Sequence, residues 1–261
     1  MRNPVRRIAR TTTTLAAAGV LAGCAYNEDL GRSQFLLVDD AALAGAAEQA
    51  WGEALGAGKV STNRAAIARV ERVAKRLIEA AGLGDRPWQY VVFEDPQANA
   101  FVLPGGRIGV NTGLLALART DDQLAAVIGH ELAHSVANHA AERYSQTAAT
   151  QTALQVGQAA LGGRMSPQTA QAAAAFGGLG AQLGLLMPFS RRHELEADRL
   201  GVDYMARAGY RPGEALELWR TMAREGAGGR PPQFLSTHPS EATRLAELER
   251  YLASRGWLEA G

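Results

Sequence analysis

Apolar residues recur at helical spacing over residues 63–81, where Ile67, Val70, Val73, Leu77 and Ile78 form one stripe and Gly82 supplies a stop. The alanine-rich run 41–57 also predicts a helix. Residues 24–40 show no clear period and read as a tether. Trp88–Phe93, Ala100–Leu103 and Arg107–Val110 are rich in β-branched and aromatic residues, and predict three strands. Pro104-Gly105-Gly106 marks a turn between the last two. A short helix over 112–118 precedes a long one over 121–144, started by Thr120 or Asp121 as N-cap. Further helices are expected at 191–208, 213–225 and 240–254. The fold class is α+β and mostly helical, with a small antiparallel sheet.

The segment 145–190 breaks the pattern, because Arg164 is its only charged residue. Gly162-Gly163 and Ser166-Pro167 divide it into a low-charge helical hairpin, which could cover a cleft as a lid. A membrane span over 168–187 is the alternative, diluted by Gln168, Gln171 and Gln182.

Composition adds little: apolar residues make up 47% and charged residues 20%. Charge distribution adds more. Four arginines lie in the first ten positions, and without them 23 basic residues face 26 acidic ones. No basic stripe remains to support a nucleic-acid role. Those arginines, the uncharged stretch after them and Leu21-Ala22-Gly23-Cys24 look like a lipoprotein signal peptide over 1–23. Lipid attachment to Cys24 is the implied outcome. Cys24 is the only cysteine, so the monomer holds no disulfide. Residues 41–261 then form a single domain.

The sharpest motif is His130-Glu131-Leu132-Ala133-His134. Positions i and i+4 lie about 40° apart around a helix, so both imidazoles can reach one zinc ion. Glu131 projects about 100° away and can touch a water on that metal. A catalytic zinc wants three protein ligands and an open place. His139 lies nine positions after His130, about 180° around the helix, so it faces away and reads as a structural or surface residue. The run His193-Glu194-Leu195-Glu196-Ala197-Asp198 offers four possible ligands. Glu194 and Asp198 share a helical face, while Glu196 turns toward solvent or an arginine.

These blocks, together with Asn99-Ala100-Phe101, Pro104-Gly105-Gly106, Asn111–Leu115 and Ser236-Thr237-His238-Pro239-Ser240 followed by Arg244, resemble the CAAX-prenyl-endopeptidase-like gluzincins, peptidase family M forty-eight. The similarity is to the bacterial periplasmic lipoprotein members and covers roughly residues 60–255. It implies a gluzincin-type metalloprotease domain with its sheet beside the active-site helix, and one Zn2+ per chain. The implied ligands are His130, His134 and Glu194, with Asp198 as the companion of the ligands and Glu131 as general base. It supports His238 and Arg244 as donors to the developing oxyanion; His238 could instead occupy the open zinc position as a latch. Asn99, Ala100 and Phe101 would present a strand edge to substrate. The expected function is a zinc-dependent endopeptidase of the cell envelope, acting on misfolded or envelope proteins. Its expected partners are protein substrates and envelope assembly or regulatory proteins. It would sit on the periplasmic face of the outer membrane, held by the lipid on Cys24. A zinc-bound scaffold or chaperone, and a peptidoglycan amidase, are the alternatives. The presence of Glu131 weighs against the first, and the order of strand, motif helix and distant glutamate weighs against the second.

Overall fold

A computed structural model describes residues 24–160, 189–227, 232–239 and 242–258. The signal segment 1–23 and the central part of the low-charge hairpin, 161–188, lie outside the described residues, as do the lid and the candidate span placed there. No helix among the described residues is long and apolar enough to cross a membrane.

The chain opens with an antiparallel hairpin, β1 (Cys24–Asn27) and β2 (Arg32–Phe35). The expected tether is therefore folded as far as Phe35. Polar anchors, not an apolar period, hold it in place. Gln34 is buried and its amide donates to the Ala137 carbonyl and to Glu142, both at 2.7 Å. Arg32 forks onto Glu142 and Glu196. Hydropathy patterning does not register such contacts.

Helix α1 (Asp40–Ala57) is capped by Asp39, whose side chain accepts from Ala42 N at 2.8 Å. Helix α2 (Arg64–Ala80) starts at the Asn63 cap, and Val70, Val73, Leu77 and Ile78 of its stripe are buried. Strands β3 (Gln89–Phe93), β4 (Ala100–Leu103) and β5 (Arg107–Asn111) form one sheet with β5 in the middle. The sheet is mixed rather than purely antiparallel. The tight turn at Gly105 and Gly106, both at positive φ, folds β4 back on β5. Strand β3 then pairs parallel to the other side of β5. The Asn111 amide donates to the Asn99 carbonyl at 2.9 Å. The alternation of antiparallel rungs therefore turns the main-chain groups of Ala100 and Val102 away from β5, toward the open edge.

After α3 (Thr112–Leu117) comes α4 (Asp121–Val136), capped by Thr120 accepting from Gln123 N at 3.2 Å. The expected single helix over 121–144 is broken here. Asn138 has φ 51°, the left-handed conformation that asparagine tolerates, and α5 (His139–Ala160) sets off in a new direction. Helix α6 (Arg191–Arg207) is capped by Ser190, and α7 (Gly213–Ala227), the short α8 (Phe234–Thr237) and α9 (Ala242–Ser254) complete the domain.

Helix α4 is the axis of the core. Every residue from Leu124 to His134 is buried, and α2, α6, α7 and β4 all pack on it. Its closest neighbour is α6, and the two cross at glycines. A Cβ on Gly201 would lie 3.0 Å from His130 N and 3.1 Å from the Gly129 carbonyl carbon. A Cβ on Gly129 would lie 3.1 Å from the Gly201 oxygen. Backbone meets backbone, and neither helix can yield without moving the other.

Gly201→Ala is accordingly expected to lower unfolding free energy by about 1–3 kcal/mol, the usual cost of overpacking. The comparison is Gly52→Ala on the exposed face of α1, where nothing lies within 4 Å of the added Cβ. That change should be neutral or stabilise by up to about 1 kcal/mol. Urea unfolding of both variants checks the contrast.

Candidate active site and metal centre

Helix α4 supplies His130, Glu131 and His134 from one buried face. Helix α6 crosses it at Gly201 and brings Glu194 and Asp198 opposite them, both buried. His238 follows α8 and is also buried, while Arg244 reaches in from α9. Residues more than a hundred positions apart thus converge at one point.

His130, His134, Glu194 and His238 each offer one donor atom, and these atoms all lie within 4.8 Å of one another. His130 Nε2 is 3.1 Å from His134 Nε2 and 3.2 Å from His238 Nδ1. Glu194 Oε1 is 3.0 Å from His238 Nδ1 and 3.4 Å from His134 Nε2, and its Oε2 is 3.4 Å from His130 Nε2. Zinc bonds of about 2.0–2.1 Å set at tetrahedral angles put neighbouring donor atoms about 3.3 Å apart. The observed edges match that spacing. Neutral imidazoles turned lone pair to lone pair repel, and a buried carboxylate needs a counter-charge. The donor set therefore fits a divalent cation, and its histidine and carboxylate chemistry suits zinc.

Each element of the centre is braced from behind. His130 Nδ1 lies 3.0 Å from Asp198 Oδ1. Arg244 grips Asp198 with Nε and Nη2 at 2.7 and 2.8 Å, and its Nη1 lies 2.6 Å from Glu194 Oε2. The guanidinium is thus occupied by two carboxylates and does not face the cleft, so the expected role for Arg244 at the carbonyl oxygen has no geometric support. Arginine is the residue suited to such a buried double carboxylate contact. Burial works against charge on His130. Asp198 and Glu194 outweigh it and push its pKa up.

His134 is braced by a residue expected to face away. The break at Asn138 swings His139 back, so that its Nδ1 lies 2.9 Å from His134 Nδ1. Its Nε2 lies 3.0 Å from Glu196 Oε2. Burial pushes the His139 pKa down to about 4, so the ring is neutral. Glu196 does meet an arginine, as expected; that arginine is Arg32 of the hairpin. The ring of Phe189 also covers His134, with centroids 3.8 Å apart. Arg32, Gln34 and Glu142 could not be found from spacing, because they act across distant parts of the chain. The one available signal was Asn138 within a helical run.

Glu131 stands beside the donor set. Its Oε1 is 3.1 Å from His238 Nε2, and the Val102 main chain also hydrogen-bonds it. Burial raises its pKa above the ordinary carboxylate value. A cleft runs past Glu131, His134 and His238, with Asn99, Ala100 and Phe101 along one wall. Arg143 also lines it, over the Phe189 ring at 3.8 Å.

Comparison with known proteins agrees with this geometry. Residues 64–252 match the family described as Peptidase family M48. The mitochondrial metalloendopeptidase OMA1 of Schizosaccharomyces pombe is 41% identical over 184 residues, covering 70% of this chain and 52% of that one. The OMA1 protein of Arabidopsis thaliana is 37% identical over 157 residues, covering 60% and 30%. The beta-barrel assembly-enhancing protease of Escherichia coli K12 is 29% identical over 184 residues, covering 68% and 37%. The chain spans about half the length, or less, of these relatives. The family match takes in both crossing helices and the His238 loop: this chain belongs to peptidase family M48, a family of zinc-dependent metallopeptidases.

Proposed function

We propose that the protein is a zinc-dependent endopeptidase of the bacterial cell envelope that cleaves misfolded or envelope proteins. The observation that carries this reading is the position of Glu131, a buried carboxylate next to the donor set and on the floor of an open cleft. A scaffold has no use for a base there. His130, His134 and Glu194 would hold the zinc. When bound, zinc supplies a Lewis acid that polarises the scissile carbonyl and acidifies the attacking water.

The chain's own residues do the rest. Glu131 accepts the proton of the water and passes it to the leaving amine, a task helped by its raised pKa. The open edge of β4 suits an extended substrate that adds as a strand, with Asn99, Ala100 and Phe101 beside it. Asp198 fixes the His130 ring, and Arg244 positions Asp198 and Glu194. His238 fills the fourth corner of the donor set while its other nitrogen contacts Glu131. That double contact favours the latch over the oxyanion role: His238 holds the centre closed and occupies the base until substrate displaces it.

Exposure of Cys24 at the start of β1 supports lipid attachment to its thiol as the anchor. We place the protein on the periplasmic face of the outer membrane. A relative named as a beta-barrel assembly-enhancing protease supports envelope proteins as substrates and assembly factors as partners.

Four outcomes test this reading. Glu131→Gln should keep zinc and lower casein cleavage by about 10²–10⁴-fold, the span of general-base contributions; a chelator should abolish the wild-type activity. His238→Ala should raise basal cleavage of casein, and a fall would restore the oxyanion role. Cys24→Ser should move the protein from the membrane fraction to the soluble one or leave it unprocessed, as fractionation and mass measurement will show.

A further inference from the structure

The two ligands on α4 are braced differently. His130 turns Nδ1 to a carboxylate, Asp198. His134 turns Nδ1 to another imidazole, His139. From this we infer that His139 is a positioning residue for His134, and that Arg32 of the N-terminal hairpin completes the brace from outside through Glu196. The inference rests on the reading of His134 as a zinc ligand.

The hydrogen-bond directions follow from one another. The atom that His134 turns to the centre is Nε2, 3.1 Å from His130 Nε2 and 3.4 Å from Glu194 Oε1. A neutral imidazole with its lone pair there carries its proton on Nδ1. His139 Nδ1, at 2.9 Å, must therefore accept that proton. The proton of His139 then sits on Nε2, where Glu196 Oε2 accepts it at 3.0 Å. Glu196 in turn receives Arg32 Nε and Nη2 at 2.6 and 2.7 Å. The same guanidinium reaches Glu142 at 2.9 and 2.8 Å, and the Gln34 amide donates to Glu142 as well. Reversing either histidine bond would set two protons or two lone pairs face to face at one end of the chain. The chain of bonds thus sets the tautomer of His134 and fixes its ring, as groups behind a metal ligand commonly do. It also ties the strand next to Cys24 to the metal centre. Simple packing is the competing account, because His139 is fully buried and stacks on the His193 ring with centroids 4.4 Å apart.

Zinc affinity separates the two accounts. It is measured by competition with a chromophoric chelator on the full chain, with thermal unfolding of the metal-free protein run beside it. His139→Phe keeps the ring and loses both bonds; it should weaken zinc about 10–100-fold. His139→Asn keeps an acceptor where Nδ1 stood and should recover most of that loss. Arg32→Met should weaken zinc by a smaller factor while the metal-free protein still melts cooperatively. Unchanged affinity in His139→Phe, or equal weakening by Phe and Asn, overturns the brace. Unchanged affinity in Arg32→Met overturns the share given to the hairpin. Glu194→Ala and His134→Phe serve as references: if they bind zinc like the wild type, it is the metal-site reading that fails.

Discussion

Helices α4 and α6 cross with their backbones in contact, and the metal centre exists because they do. The contact needs two residues without side chains at one level, Gly129 and Gly201. One residue beyond Gly129 stands His130, and three before Gly201 stands Asp198. The close approach lets Asp198 reach the back of His130, and it lets Glu194, one turn further along, face both histidines. With ordinary side chains at the crossing the helices would stand further apart, and side chains as short as aspartate would no longer span the gap. The fold therefore puts a backbone-to-backbone helix contact where its chemistry lies, and the sheet, α2 and α7 pack around α4 in that position.

Burying this much charge is costly, and two arginines offset the cost. Arg244 serves Asp198 and Glu194 on one side of the centre, and Arg32 serves Glu142 and Glu196 on the other. Both arginines hold two carboxylates at once, and both come from elements remote in sequence from the helices they brace. The centre sits between these two clusters, with Glu131 buried beside it and in contact with His238. Burial raises the Glu131 pKa, while those of Glu194 and Asp198 fall despite burial because Arg244 and the histidines face them.

Much of this was legible in the sequence. The apolar stripe of α2, the strands at 88–93, 100–103 and 107–110, and the turn at Gly105-Gly106 all have local causes, and local patterns report them. The motif on α4 was legible for the same reason, since helical spacing alone brings His130 and His134 together. The mixed sheet was not, because strand order depends on which edge β3 joins. The brace on His134 was not, because a helical wheel carried through Asn138 sends His139 the wrong way. Nor was the hairpin: Arg32 and Gln34 look like tether residues until Glu142 and Glu196, more than a hundred positions away, are placed beside them.

The placement of Arg244 and His238 has a consequence for the order in which the molecule is made. Both lie after α7, so a nascent chain emerges with its zinc motif long before the residues that close the centre. Until α9 is synthesised, Glu194 and Asp198 have no guanidinium beside them, and their repulsion along α6 goes uncompensated. An incomplete chain thus lacks both His238 of the donor set and the arginine behind it. The domain acquires the geometry of its metal centre only once it is long enough to restrain itself.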